Sequence, residues 1–361
     1  MTKARPWLIF HPIDVLLIFI PVSAVLYYSN ANYTAVFITA ALSIIPLTRL
    51  MASSTGVIAA RVSNTASALF NATFGNAVEL FIAIFALRRG LFDLVKASIV
   101  GSILINVLFL VGLSMIAGGL KYKEQRFNKD SAGLSSTMLI IVVIGMALPS
   151  VYSMINPDSQ QTIQHAMTMS RAVSVILGIM YGLSLLYMLV THKHLFEVQH
   201  EIRQPWYERR SPAPAVVILL VATLLVGFES NMLVGTVEPL MEETGLSMAF
   251  IGLVFIALLT NVPEHLSAIS FARKDNMTLS LEIGLNSATQ IALFVVPVLV
   301  LVSIGFSKGS LDLVFTPFQL AAVMITAIIA NALSPDGVCH WLEGAQLVGI
   351  YVLIATAFIF V

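Results

Sequence analysis

Runs of roughly 17–25 mostly apolar residues recur along the chain, separated by short polar stretches, and each is long enough to cross a bilayer as a helix. Eleven are predicted, over 11–28, 33–51, 64–87, 93–118, 133–150, 171–191, 213–237, 247–272, 278–304, 315–334 and 340–361. The third is the least regular, because the stretch before it, 52–65, is mildly polar. Two of the runs are interrupted in the same way. TFGNAVE at 73–79 and TNVPEH at 260–265 each set an Asn and a Glu three residues apart. On a helix, positions i and i+3 share a face, so Asn76 with Glu79, and Asn261 with Glu264, each present an amide beside a carboxylate. An ionisable group at membrane depth is costly and is expected to mark a functional site.

The two interruptions belong to an internal repeat. A constant offset of 185 carries Asn76 onto Asn261, Glu79 onto Glu264, Arg88 onto Arg273 and Ser102 onto Ser287, with no gap. The unit is about five helices, helices 2–6 against 7–11, with the first helix outside it. An odd number of spans inverts the second copy, and inverted repeats with a site near the midplane are common in secondary transporters. The expected fold class is therefore all-α and polytopic: eleven transmembrane helices in two inverted-topology five-helix repeats plus an extra N-terminal helix. One transporter domain covers 1–361, divided into an N-terminal helix (1–30), a first repeat (31–192), a cytoplasmic loop (193–212) and a second repeat (213–361).

Composition agrees. The chain is 58% hydrophobic and 11% charged, with mean hydropathy +0.92, too little charge to cover a soluble domain. Lys+Arg and Asp+Glu balance at 19 each, which argues against nucleic acid as a partner. Fourteen of the nineteen basic residues fall on one side of the predicted membrane map, the side holding the N-terminus, so the N-terminus is expected in the cytoplasm and the C-terminus outside. Lys3 and Arg5 ahead of an apolar run resemble a signal peptide, but without a good cleavage site a retained first helix is expected. A compact chain of this kind fits a prokaryotic plasma (inner) membrane. Cys339, the single cysteine, excludes an internal disulfide and any Cys-based metal site, and is expected as a small apolar helix residue.

The chemistry gathers around the paired motifs. Gly75 weakens the first helix just before Asn76, and Pro263 removes a backbone donor in the second. Both helix breaks free carbonyls beside a carboxylate, as in the discontinuous helices that coordinate ions at membrane depth. The following helix of each unit adds Ser102 with Asn106, at i and i+4, and Ser287 with Gln290, at i and i+3. His265 points to a different face from Glu264 and is expected either as a hydrogen-bonded buried histidine or as a proton relay. The set is all oxygen, which suits a hard cation such as Ca²⁺, with Glu79 and Glu264 as its metal-binding carboxylates. Two carboxylates sharing a low-dielectric site do not both stay ionised without a cation between them, so cation and proton compete for the same oxygens.

GNAVELFIAIFAL (75–87) and GSILIN (101–106) resemble the first signature repeat of the cation/proton exchangers, a branch of the calcium/cation antiporter superfamily. The Glu264-His265 pair, SATQIALF (287–294) and WLEG (341–344) resemble its second half. The resemblance covers about residue 64 to the end. It implies eleven helices, proton-driven export of Ca²⁺ or a similar cation, and Glu79 and Glu264 as the essential carboxylates. The family commonly has GNAAEH where this chain has TNVPEH, and a Gly where it has Asn286; both changes touch the expected cation shell. The loop between helices 6 and 7, often acidic in relatives, mixes His192, His194, His200, Glu197 and Glu201 with several Arg, and is expected to be solvated.

The leading expectation is a secondary active antiporter, not an enzyme, exchanging Ca²⁺ or a related hard cation for protons. Its partners are the inorganic cation, protons and the lipid bilayer; a homo-oligomer is compatible with this, and no cofactor is expected. The alternative on the same scaffold is a monovalent (Na⁺ or K⁺) cation/proton antiporter. A gated channel of this architecture would pass current without coupled exchange. An intramembrane metallo-hydrolase would need His and Glu converging at membrane depth, whereas Glu242 and Glu243 fall in a predicted extramembrane loop and the one Glu-x-x-His, Glu197 to His200, in the cytoplasmic loop.

Overall fold

A computed structural model describes residues 11–29, 32–62, 64–155, 159–192 and 212–360. The histidine and glutamate tract at 192–201 lies outside them except for His192. A helix stands at every apolar run expected from the sequence. In the N-terminal part these are α1 (Phe19–Tyr28, entered through a 3-10 turn at Pro12–Ile18), α2 (Tyr33–Ala59), α3 (Asn64–Gly75) and α4 (Ala77–Arg89). There follow α5 (Phe92–Leu104), α6 (Val111–Gly119), α7 (Lys129–Ser153) and α8 (Gln160–Leu186). The second half holds α9 (Pro212–Gly235), α10 (Val237–Thr244), α11 (Met248–Phe250), α12 (Ala257–Thr260), α13 (Val262–Ala272), α14 (Met277–Gln290), α15 (Val296–Ser303), α16 (Pro317–Leu333) and α17 (Trp341–Ala357). Local chemistry fixes the starts. Asn32 caps α2, Asn128 caps α7, Asn276 caps α14, and Thr316 forms a capping box with Gln319 at the head of α16.

By length and composition, six helices among the described residues are able to cross a membrane, or seven if the bent pair Met248–Thr260 and Val262–Ala272 counts as one span. Three shorter apolar helices, Pro12–Tyr28, Pro317–Leu333 and Trp341–Ala357, stand beside them. The lipid-facing character is direct: Val175, Ile176, Ile179 and Leu183 on α8, and Leu224 on α9, are large apolar side chains left exposed, an arrangement water would penalise and hydrocarbon would not. The molecule is an all-helical integral membrane protein. Its strand pair among the described residues is two residues long, β1 (Gln125–Arg126) antiparallel to β2 (Val338–Cys339). Cys339, expected inside a helix, is therefore a strand residue, buried against its partner Gln125.

The helix starts keep the 185-residue offset: α4 begins at Ala77 and α13 at Val262, α5 at Phe92 and α14 at Met277. Within the latter pair a π-helical turn follows, at Ile105–Leu110 after α5 and at Ile291–Val295 after α14. A π-turn inserts a residue into the α ladder and is common at functional sites; the apolar pattern gives no sign of it.

The chain forms two compact units, each drawn from both halves of the sequence: residues 1–82 with 200–245, and residues 83–199 with 246–361. In the first unit α2 lies along α9. Val36, Ala40, Ile44, Leu47 and Met51 form its buried stripe at helical spacing, and Leu219, Ala222, Val226 and Leu233 line α9. The α1 segment packs on α2. There Asp14, buried, accepts from Arg49 Nε at 2.9 Å, a paired charge where an unpaired one would not be tolerated.

In the second unit α5 runs so close to the π-helical segment Ile251–Ile256 that a Cβ on Gly101 would sit 2.3 Å from Leu253 O. A Cβ on Gly284 would sit 2.7 Å from Asn106 O. Gly101 thus lets α5 close on the segment that leads to Asn261, and Gly284 lets α14 close on the turn that carries Asn106. Three hydrogen bonds tie α7 to α14 in register: Asn128 N to Thr278 Oγ1 at 3.1 Å, Ser131 Oγ to Glu282 Oε1 at 2.6 Å, and Ser135 Oγ to Asn286 Oδ1 at 3.1 Å.

Candidate cation-binding site

The second unit's site is built on the interruption between α12 and α13. Pro263 has no N–H for the carbonyl of Leu259 and sits in the first turn of α13, where no donor is required. Asn261 therefore leaves the helix, at φ −100° and ψ 11°, and the axis bends by 59° across it. Its side chain replaces part of the lost backbone pairing. Asn261 Nδ2 donates to Ala257 O at 2.8 Å and reaches Thr260 Oγ1 at 3.1 Å and Ser102 Oγ at 3.4 Å. Its Oδ1 accepts from Asn106 Nδ2 at 2.7 Å, and the same Asn106 nitrogen donates to Ser287 Oγ at 3.0 Å. Asn261, Asn106 and Ser102 are buried, and Ser287 half-buried. Four expected residues from three separate helical segments thus form one hydrogen-bonded cluster.

Glu264 follows in the first turn of α13, where the free N–H groups and the positive end of the helix dipole favour an acidic side chain. Among the described residues its Oε2 is buried without a hydrogen-bond partner, and so is Asn106 Oδ1. Two buried acceptors without donors are what a bound cation or an added proton would satisfy. His265, also buried, turns its Nδ1 onto Asn261 O at 2.5 Å, and its ring lies 5.9 Å from that of Phe109. Its Nε2 has no partner among the described residues. Gln290, half-buried, ends α14 one turn beyond Ser287, immediately before the π-turn.

The first unit carries the matching interruption. The α3 helix ends at Gly75, Asn76 stands between helices and buried, and α4 begins at Ala77 with Glu79 in its first turn. Asn76 O accepts from Leu80 N at 3.0 Å, as Asn261 O accepts from His265 N at 3.1 Å. Among the described residues, nothing lies within 4 Å of the position a Cβ on Gly75 would take, so what it contributes is backbone freedom at a helix end rather than space.

The two departures in the second copy have distinct places. Thr260 offers its hydroxyl to Asn261 and so belongs to the cluster. Asn286 is held by Ser135 of α7, so its amide braces the helix that presents Ser287. Among the described residues no three His, Cys, Asp or Glu side chains group to hold a metal ion; the donors here are amide and hydroxyl oxygens around single carboxylates. Sequence reasoning missed two buried acids, Glu229 on α9 and Glu282 on α14, and the Asp14–Arg49 pair. The rule that singled out Glu79, a lone acid inside an apolar run, would have found Glu229 as well.

The model of a family described as sodium/calcium exchanger protein matches residues 32–190 and 214–360. The chain belongs to this family. Within it, the chain is similar to a Ca²⁺/H⁺ antiporter of Aphanothece halophytica, 41% identical over 96% of this chain and 95% of that one. The Ca²⁺/H⁺ antiporter ChaA of Bacillus subtilis is 36% identical over 93% and 94%. Among solved structures, the Ca²⁺/H⁺ antiporter YfkE superposes with a TM-score of 0.81 at 34% identity, covering 97% of this chain and all of the other. The resemblance to cation/proton exchangers carried by GNAVE, GSILIN and SATQ is borne out over nearly the whole chain, well beyond the signature repeats.

Proposed function

We propose that this family member is a secondary active antiporter that exchanges Ca²⁺ for protons across a membrane. The observation that carries the proposal is the Asn-x-x-Glu placed at a helix interruption in each unit, with Glu264 Oε2 and Asn106 Oδ1 left as open acceptors beside one of them. The relatives named Ca²⁺/H⁺ antiporters support calcium as the cation, and nothing in them favours a monovalent ion.

In this mechanism Glu79 and Glu264 are the exchanging carboxylates. Each is loaded with cation or with proton, because an ionised carboxylate in low dielectric is too costly to cross empty. Asn76, Asn261, Ser102, Asn106, Ser287 and Gln290 supply neutral oxygens that replace the cation's water. Asn261 also holds the backbone open where the helix breaks. His265, hydrogen-bonded to the Asn261 carbonyl, fixes the turn on which Glu264 sits, and its other ring nitrogen is available to relay the proton. Eleven spans, with helices 2–6 and 7–11 as inverted repeats, complete the architecture, supported by the matched helix starts at 77 and 262 and at 92 and 277. The excess of basic residues on one side supports a cytoplasmic N-terminus and an outward C-terminus, in a prokaryotic inner membrane.

The test is Ca²⁺-driven proton movement in proteoliposomes. Wild-type protein should collapse an imposed pH gradient on addition of Ca²⁺ but not of Na⁺ or K⁺. Transport that survives in both E79Q and E264Q would show that exchange runs elsewhere.

A further inference from the structure

Glu229 is another acidic side chain at membrane depth, and the exchange mechanism does not use it. It lies in α9, is fully buried, and shares the first unit with α1 and α2. Its two carboxyl oxygens are 3.0 and 2.9 Å from Ser23 Oγ of α1, and Ser43 of α2 lies beside the same carboxyl. Both serines are fully buried too.

Counting protons decides its state. Ser23 Oγ stands 2.8 Å from Ile20 O, and Ser43 Oγ 2.7 Å from Ala40 O, so each hydroxyl's single proton already has an acceptor in its own helix. An ionised Glu229 would be an acceptor only, and both hydroxyls would have to abandon their carbonyls to serve it. It would still carry a full charge. Within the first unit, the titratable and charged groups on the surrounding elements are Asp14 of the 3-10 turn, Tyr27 and Tyr28 of α1, Tyr33 and Arg49 of α2, Glu79 of α4, whose Phe81 lies beside Gly227 of α9, and Glu238, Glu242 and Glu243 of α10. Arg49 is the one cation among these described groups, and it is bound to Asp14, six residues from Ser43 and so about 9 Å farther along α2. A neutral acid satisfies everything: its O–H donates to Ser23 Oγ, Ser23 donates to Ile20 O, and the Ser43 proton remains for Ala40 O or the acid's carbonyl.

The repeat supplies an independent observation. The 185 offset carries Glu229 back to Ile44, a fully buried apolar residue. The acid is present only in the second copy, and it faces α1, the helix that the repeat does not contain.

We propose that Glu229 is a positioning residue held as a neutral carboxylic acid through the whole transport cycle, and that its hydrogen bond latches the N-terminal helix α1 onto α9 and α2. Infrared spectroscopy of the full chain in lipid tests this directly. The carbonyl stretch of a protonated carboxyl should be present throughout the pH range of exchange. It should shift in S23A, which keeps the acid, and disappear in E229Q. E229Q, which keeps a donor at the same place, should exchange Ca²⁺ within about two-fold of wild type with an unchanged pH profile, whereas E229A should speed amide hydrogen exchange over residues 19–28 about ten-fold, the loss of one buried hydrogen bond. A band that titrates with pH or vanishes on Ca²⁺ addition would overturn the proposal. So would a pH profile displaced in E229Q, since either would make Glu229 a carrier of exchanged protons.

Discussion

The same four-residue motif interrupts a helix twice, and the two interruptions are made differently. At Asn76 the break is permissive: Gly75 ends α3, nothing crowds it, and α4 restarts at Ala77. At Asn261 it is enforced: a π-helical segment runs up to α12, Pro263 withholds a donor, and the side chain of Asn261 is held by Ala257, Asn106 and, more loosely, Ser102. Glycine permits a bend by lowering the cost of non-helical backbone, while proline imposes one by removing a bond. A motif repeated within one chain can thus break its helix through backbone freedom in one copy and through a withheld donor in the other.

Six substitutions would break or sharpen that contrast. The largest effect is expected for the carboxylates themselves. E264Q and E79Q should each lower Ca²⁺-driven proton flux about 100-fold or more, since an amide takes up no proton and leaves a cation's charge uncompensated in low dielectric; equal losses would show that the breaks differ but the roles do not. Next comes N261A, which takes from Asn106 Nδ2 the shorter of its two acceptors and leaves Ala257 O only the 3.4 Å contact from Thr260 Oγ1. Its apparent Ca²⁺ affinity in the flux assay should fall about ten-fold, in line with ~1–3 kcal/mol for a buried group left unpaired, and N76A measured alongside gives the cost of the same change at the permissive break. P263A returns a donor to the Leu259 carbonyl. It should raise the thermal midpoint and slow exchange a few-fold, because the enforced bend then competes with a straight helix costing about 3 kcal/mol less. The smallest effect belongs to G75A. With nothing near its Cβ, alanine should fit, add about 0.5–1 kcal/mol to the helix end, and leave flux within two-fold; a large loss would mean that the first break is enforced as well.

Much of this was legible in the sequence because the repeat kept its register without gaps. An offset counted on Asn, Glu, Arg and Ser also predicts where helices begin, at 77 and 262 and at 92 and 277, since what fixes those starts recurs with the motif. Ser102, Asn106 and Ser287 were legible for a related reason: polar side chains are scarce in apolar helices, and those at one spacing tend to face one place. Other features left no trace. A π-turn depends on how a ladder is strained by its neighbours, so Ile105–Leu110 and Ile291–Val295 look like ordinary apolar helix in the sequence. The division into two units was hidden because α9 pairs with α2 across nearly two hundred residues, a contact that no local pattern encodes. Cys339 looked like helix because it borders one; its pairing with Gln125 is equally non-local. Helix length was legible only to a few turns: α2 runs on to Ala59 and α8 starts at Gln160, where polar residues at the membrane edge continue a helix that hydropathy had ended.

The three rungs between α7 and α14 act together as a key in a slot. Asn128, Ser131 and Ser135 engage Thr278, Glu282 and Asn286 at successive turns, so α14 can neither rotate nor slip against α7 without losing all three at once. Ser287 and Gln290 inherit that fixed angle. Ser131 and Ser135, which have no place in the hydrogen-bonded cluster, therefore set the angle at which α14 presents Ser287 and Gln290, and that angle is open to change from a helix outside the cluster.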